Sequence, residues 1–229
     1  MSTTYEDLTE KLLDAALTHV AFDGWSEATF RAAAQDTGVE LELARGMCPR
    51  GAVDLALAYH ARGDRLMQAR LASADLAGMK IREKITFAVR TRIEVVDDKE
   101  AVRRGTTLFA LPHYAADGAR AIWGTCDLIW TAIGDQSEDY NWYTKRMTLS
   151  GVYSSTVLYW LGDESPDARA TWAFLDRRIA NVMEIEKLKA QVNNNKLLAP
   201  LMAGPNWVLS QIKAPKAPMG AGLPGSLRR

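Results

Sequence analysis

Side chains able to do chemistry are few in this chain, and their spacing does not build a reactive set. His19, His60 and His113 are its only histidines, and none has a Glu, His or Cys three or four residues on. Two ligands on one face of a helix need that spacing, so no metal site is expected. His19 falls on an apolar helix face and reads as a core histidine. His113 follows a proline at a helix junction and reads equally as a cap. Cys48 and Cys126 are far apart, form no CxxC and have no histidine nearby, which favours reduced thiols and a cytosolic setting. The chain has no GxSxG and no P-loop. Gly220-Ala221-Gly222-Leu223-Pro224-Gly225 fits GxGxxG formally, but it lies four residues from the end with a proline inside, where no following helix can hold a pyrophosphate. Neither a catalytic residue nor a cofactor is expected.

The positive signal is aromatic. Five of seven tryptophans (Trp123, Trp130, Trp142, Trp160 and Trp172) fall within one third of the chain, beside Tyr140, Tyr143, Tyr153 and Tyr159. Core packing alone accounts for many buried rings. Interleaved with them, however, are Ser150, Gly151, Ser154, Ser155 and Thr156. Small side chains facing large rings leave volume inside a bundle, and such a void destabilises unless something apolar fills it. Trp123, Trp130, Met147, Ser150, Ser154 and Val157 are therefore the candidate walls of a lipid cavity.

A long helix must position these residues. Ser137 or Asp139 can cap its start, and Gly162 followed by Pro166 can stop it. Steps of three and four link Tyr143, Met147, Ser150, Ser154, Val157 and Leu161, while Trp142, Leu149, Tyr153, Thr156 and Trp160 take the neighbouring face. Both faces should be covered, which places the helix in the middle of a bundle. Lys145 and Arg146 near its start must reach water or an acid, so that end should emerge.

Apolar steps of three and four mark every other segment, and sustained period-two alternation is missing, so the chain reads as all-α. Helices are expected from the acidic N-terminal stretch to Asp23-Gly24, from Ser26 to Thr37-Gly38, and over Val39 to Met47. That layout is helix-turn-helix spacing, giving residues 1–48 as an N-terminal unit, 49–195 as a larger bundle and 196–229 as a basic segment and tail. Charge weighs against DNA reading. Residues 26–50 carry Arg31, Arg45 and Arg50 against Glu27, Asp36, Glu40 and Glu42, and the third helix opens with glutamates. Phosphate contacts supply most non-specific DNA affinity and need a basic face, so no nucleic-acid partner is expected.

The 28 basic and 28 acidic residues balance overall, but seven basic residues and no acidic one follow Glu186. Trp207, Val208 and Ile212 share one side of a short proline-bounded segment with Lys213 beside them. This segment either lies on a membrane surface or docks on the bundle or a second subunit. No run of 18 apolar residues and no Arg-rich leader is present, so a cytoplasmic protein attached peripherally to a membrane is expected.

GDQSEDYNWYTKR from Gly134, GVYSSTVLYWLGDES from Gly151 and TWAFLDRRI from Thr171 resemble the ubiquinone biosynthesis accessory proteins that bind lipid and assist a hydroxylase. The likeness runs from about Gly78 to Glu186, and the N-terminal part looks like a TetR-type regulator. It implies a TetR-like all-α bundle without enzymatic activity of its own, a bound isoprenoid lipid or ubiquinone precursor, a di-iron hydroxylase as partner, and a homodimer. It also implies that Trp142, Tyr143, Lys145 and Arg146 contact the hydroxylase. The main rival is a ligand-responsive transcriptional regulator.

Overall fold

The computed structural model describes the backbone of residues 5–194 and 213–214, and side chains over 6–184 and 213–214. The expected membrane residues Trp207, Val208 and Ile212, and the GxGxxG match, lie outside the described residues.

Helix ends follow local chemistry. α1 (Tyr5–Asp23) is closed by Gly24 at φ 65°. α2 (Glu27–Thr37) begins where the Ser26 hydroxyl accepts from the Thr29 amide, and it ends at Gly38, whose left-handed backbone a side chain would oppose. α3 (Leu41–Met47) completes the helix-turn-helix. α4 (Ala52–Ser73) and α5 (Ile81–Glu94) follow. Asp98 caps α6 (Lys99–Phe109), which ends in a turn before Pro112. α7 (Ala115–Ala132) leads to α8 (Tyr140–Gly162), capped by Asp139, one of the two caps its sequence offered. A short 3-10 turn over Pro166–Ala168 opens α9 (Arg169–Asn194). Asp163 bridges this corner, accepting from the Ser165 and Thr171 amides and the Thr171 hydroxyl, and these bonds hold its carboxyl well below the usual range.

Two apolar cores form. One joins α1, α2 and α3 to the first half of α4 through Leu12, Leu13, Phe30, Leu55 and Tyr59. It does not stop at residue 48, because α4 and Ala101 of α6 complete it. The other joins the second half of α4 to α5, α7, α8 and α9 through Met67, Val89, Ile129, Leu149 and Leu175. α4 therefore runs through both, and what lies beside its middle couples them.

α8 packs on α7, α9 and α6. Leu149, Val152, Tyr153 and Thr156 face inward, but Met147 (61% exposed), Leu158 (59%) and Tyr159 stay outside. The expectation that both faces are covered is thus corrected within a single chain. Phe174 of α9 stacks on Tyr159 at 4.5 Å on this outer surface.

Gly118 sets the approach of α6 and α7, since a Cβ there would stand 2.7 Å from the Phe109 Cβ. Gly118→Ala gains roughly 1 kcal/mol of helix propensity but forces the helices apart, at about 1–3 kcal/mol. Urea denaturation should show net destabilisation; a more stable variant would mean that the contact yields freely.

Candidate functional site

Between the two cores is a cavity of about 450 Å³ walled by α4, α5, α6, α7 and α8, with Trp25 from the turn before α2. Its wall is mostly apolar: Ile93, Val96, Val102, Phe109, Ile122 and Val157 carry much of it. Leu66 and Leu158 line it while remaining 47% and 59% exposed, and so mark its rim.

One corner is polar. Arg92 of α5 is 3% exposed, and its Nε donates to Asp64 Oδ1 of α4 at 2.7 Å while Nη2 donates to the His60 carbonyl at 2.9 Å. An unpaired guanidinium would be costly here, so Asp64 is the condition of its burial. The Thr125 hydroxyl of α7 donates to Asp64 Oδ1 at 2.8 Å and lies 2.8 Å from His60 Nε2. The Thr125 hydroxyl thus stands between the Asp64 carboxylate, the Ala121 carbonyl and His60 Nε2, and links the imidazole to the ion pair. Burial, reinforced by the positive charge of Arg92, depresses His60 to about 4, against the opposing pull of Asp64. Tyr153 of α8, 5% exposed, completes the corner, and burial keeps its hydroxyl protonated. Gly63 makes room, for a Cβ at that position would stand 2.5 Å from Arg92 Nη1.

Of the six expected cavity residues, Ser154 and Val157 line it. The others do not, for reasons of helix phase and competing contacts. Trp130 is buried in the second core with Lys145 above its ring, and Met147 points to solvent. Ser150 turns its hydroxyl back to the Arg146 carbonyl at 2.8 Å. Trp123 instead joins Trp142 and Tyr143, with ring centroids 5.9 and 6.4 Å away. His60, Arg92 and Tyr153 were not among the expected site residues. His60 and Asp64 one helical turn apart, with Gly63 between, were the signal for that corner.

The expected partner patch is divided. Trp142 and Tyr143 form a half-buried edge-to-face pair. Lys145 donates to Asp135 at 2.7 Å and to Ser137 at 2.6 Å. Arg146 does not emerge: it is 2% exposed, bonded to Asp127, Asp135 and the Trp142 carbonyl, with its guanidinium 3.9 Å from the Trp142 ring centroid. Burial alone would raise Asp135, but Lys145, Ser137 and Arg146 outweigh it and hold the carboxyl low. Arg146 thus braces the patch from beneath. Lys213 reaches the same place through its backbone, with the Tyr143 hydroxyl 3.4 Å from its carbonyl and the Ala214 amide 2.8 Å from the Glu138 carbonyl.

On the helix-turn-helix, the arginines are occupied. Arg31 and Arg45 both bond Glu27, Arg45 also lies over the Phe30 ring, and Arg50 holds Asp54 and Asp117. His19 is not enclosed in the core but lies 2.7 Å from Asp36 across α1 and α2, partly exposed. Cys48 and Cys126 are buried free thiols, each pushed up to about 11 by burial. Among the described residues, no three His, Cys, Asp or Glu side chains gather as metal ligands, and no helix is long and apolar enough to cross a membrane.

This architecture is that of a TetR-type helical protein. A TetR transcriptional regulator from Nitrosomonas europaea ATCC 19718 matches it with a TM-score of 0.62 over 76% of this chain and 96% of that one, at 20% identity. Residues 115–186 match the COQ9 family model, and the resemblance read from the sequence is thereby shown: the chain is a relative of the COQ9 proteins. The ubiquinone biosynthesis protein COQ9, mitochondrial, of Drosophila melanogaster is 31% identical over 188 residues, covering 79% of this chain and 57% of that protein. Its Homo sapiens counterpart is 29% identical over 197 residues, covering 82% and 62%. The chain therefore spans about three fifths of the length of these relatives.

His60 gives the site a pH signature. Asp64, Arg92, Thr125 and the Ala121 backbone face it from α4, α5 and α7, and its pKa of about 4 lies below the ordinary 6.5. Between these values the unfolded chain holds a proton that the folded chain does not. Stability present in full above pH 6.5 is therefore lost as pH falls toward 4, by about 3 kcal/mol in all. His60→Gln should flatten this part of the stability profile, read as urea midpoints from pH 4 to 7. An unchanged slope would place the titration elsewhere.

Proposed function

We propose that the chain is a lipid-binding accessory protein of ubiquinone biosynthesis. It takes the apolar part of an isoprenoid ubiquinone precursor into the cavity and presents it to a di-iron hydroxylase, which does the chemistry. The observation that carries this reading is an apolar cavity of about 450 Å³ beside a polar corner, in a chain related to COQ9 proteins. A well-packed interior leaves few voids larger than a water molecule, so a space of this size is a ligand volume by default. The described side chains offer no nucleophile activated by a base, which favours a carrier over a catalyst.

Trp142, Tyr143 and Trp123 form the proposed docking patch for the hydroxylase, with Arg146 supporting it. The apolar outer face of α8 and α9, with Met147, Leu158, Tyr159 and Phe174, supports a homodimer. Peripheral attachment to a membrane, where an isoprenoid substrate resides, belongs to the same reading. A nucleic-acid partner does not, because the arginines of the helix-turn-helix are held by carboxylates.

Lipid extraction and mass spectrometry of purified protein test the reading. Wild-type protein should carry co-purified lipid, and Ser154→Phe should reduce it at least fivefold while keeping the fold. If wild type carries none, or if Ser154→Phe costs stability at unchanged occupancy, Ser154 is ordinary core.

A separate measurement tests the docking patch. Trp142→Ala should weaken capture of the hydroxylase by about 2 kcal/mol, roughly thirtyfold in Kd, with helicity retained. Normal capture would remove the patch from the interface.

A further inference from the structure

The aromatic patch at the start of α8 already holds a piece of this chain. Ala214 donates its amide to the Glu138 carbonyl at 2.8 Å, and the Tyr143 hydroxyl lies 3.4 Å from the Lys213 carbonyl. One side of this contact is the loop that leads into α8 together with its first turn, and the other is a pair of residues outside any helix. Pro215 follows that pair in the sequence, and a residue that precedes a proline is steered away from helical backbone. Ala214 is thereby restricted before it docks, and offers its amide to another segment at a smaller cost in entropy.

Charge draws the same two segments together. Glu138 and Asp139 are exposed on the loop, whereas the tail brings Lys213 and Lys216, and no acidic residue follows Glu186. Opposite charges at a surface attract weakly and are screened by salt, so they add to the backbone bonds without fixing the contact for good.

Occupancy has a consequence for docking. A stable interface covers about 800 Å² on each partner, far more than the rings of Trp142 and Tyr143 offer. A protein seated on those rings therefore meets the segment that lies against the Tyr143 hydroxyl, and one of the two must leave. Two surface hydrogen bonds, one of them long, favour the docked segment about tenfold, the net value of roughly one good bond. The segment thus covers the patch most of the time, yet yields to a partner that binds with an ordinary interface.

We infer that the stretch from Glu138 to Tyr143 is a receptor for the chain's own Lys213–Ala214 segment, and that the hydroxylase gains the Trp142–Tyr143 patch only by displacing it. The inference rests on this patch being the hydroxylase's docking site. It adds a competitor that the same chain carries.

Two measurements on the full chain test it. Solvent exchange of the Ala214 amide, read by NMR, should be about tenfold slower than in a synthetic peptide of residues 209–218, and added hydroxylase should return it to the peptide's rate. Ala214→Pro has no amide to donate, so its patch stays open and it should capture the hydroxylase about tenfold more tightly than wild type. Lys213→Glu sets a further negative charge against Glu138 and Asp139, and should act in the same direction with a smaller gain that fades in high salt. Neither residue belongs to either core, so both variants should keep wild-type helicity. Exchange of Ala214 at the peptide's rate in the free protein, protection that persists with the hydroxylase bound, or equal capture by wild type and both variants overturns the competition while the docking patch stands. If neither wild type nor the variants capture the hydroxylase, the docking reading falls and the competition falls with it.

Discussion

The ion pair between Arg92 and Asp64 is the interaction on which the rest of the interior depends. Taking both groups out of water costs several kcal/mol per charge, and only close geometry with every neighbour engaged returns it. The structure meets that demand with α4, α5 and α7 together: Asp64 accepts from Arg92 and Thr125, Thr125 meets His60, and the His60 carbonyl takes a second guanidinium bond. Three helices are thereby fixed around a point beside which the cavity opens. A corner filled by leucines would hold them as firmly, but it would leave no fixed polar groups at the wall.

α4 makes that point matter beyond the cavity. Leu55 and Tyr59 belong to the helix-turn-helix core, Met67 and Leu71 to the larger bundle, and His60, Gly63 and Asp64 lie between. Tyr59 also reaches Asp97 and the Asp98 carbonyl before α6, and Trp25 donates to the Ala101 carbonyl. A molecule in the cavity therefore touches both cores. In a DNA-binding relative of this fold, such contact would bear on a basic reading head. Here Arg45 is turned back onto Glu27 and Phe30, and Trp25 brings the N-terminal unit into the cavity wall.

Much of this was legible in the sequence where local chemistry rules. The serine, glycine and aspartate signals at Ser26, Gly38 and Asp139 placed helix ends to within a residue, because a cap depends on a few adjacent atoms. Ser154 and Val157 line the cavity because they share the inner side of α8. Trp130 and Met147 were misplaced because period alone shows that a helix has sides but not which neighbour each side meets. Arg146 was expected to reach water or an acid, and which acids it reaches, Asp135 and Asp127 at 11 and 19 positions away, is set by tertiary packing that also buries it. Arg92 sat in an ordinary amphipathic helix. Nothing local distinguishes it from Arg90 beside it, and only the packing of α5 on α4 makes one buried and leaves the other in solvent.

The central claim is that the space between the two cores is a ligand volume. A crystal structure of the protein as purified, without added ligand, tests it most directly. The account predicts continuous elongated density that begins beside Tyr153 and Arg92 and runs out between Leu66 and Leu158. A cavity closed by its own side chains, with Val157 and Phe109 in contact and no density between them, would contradict it.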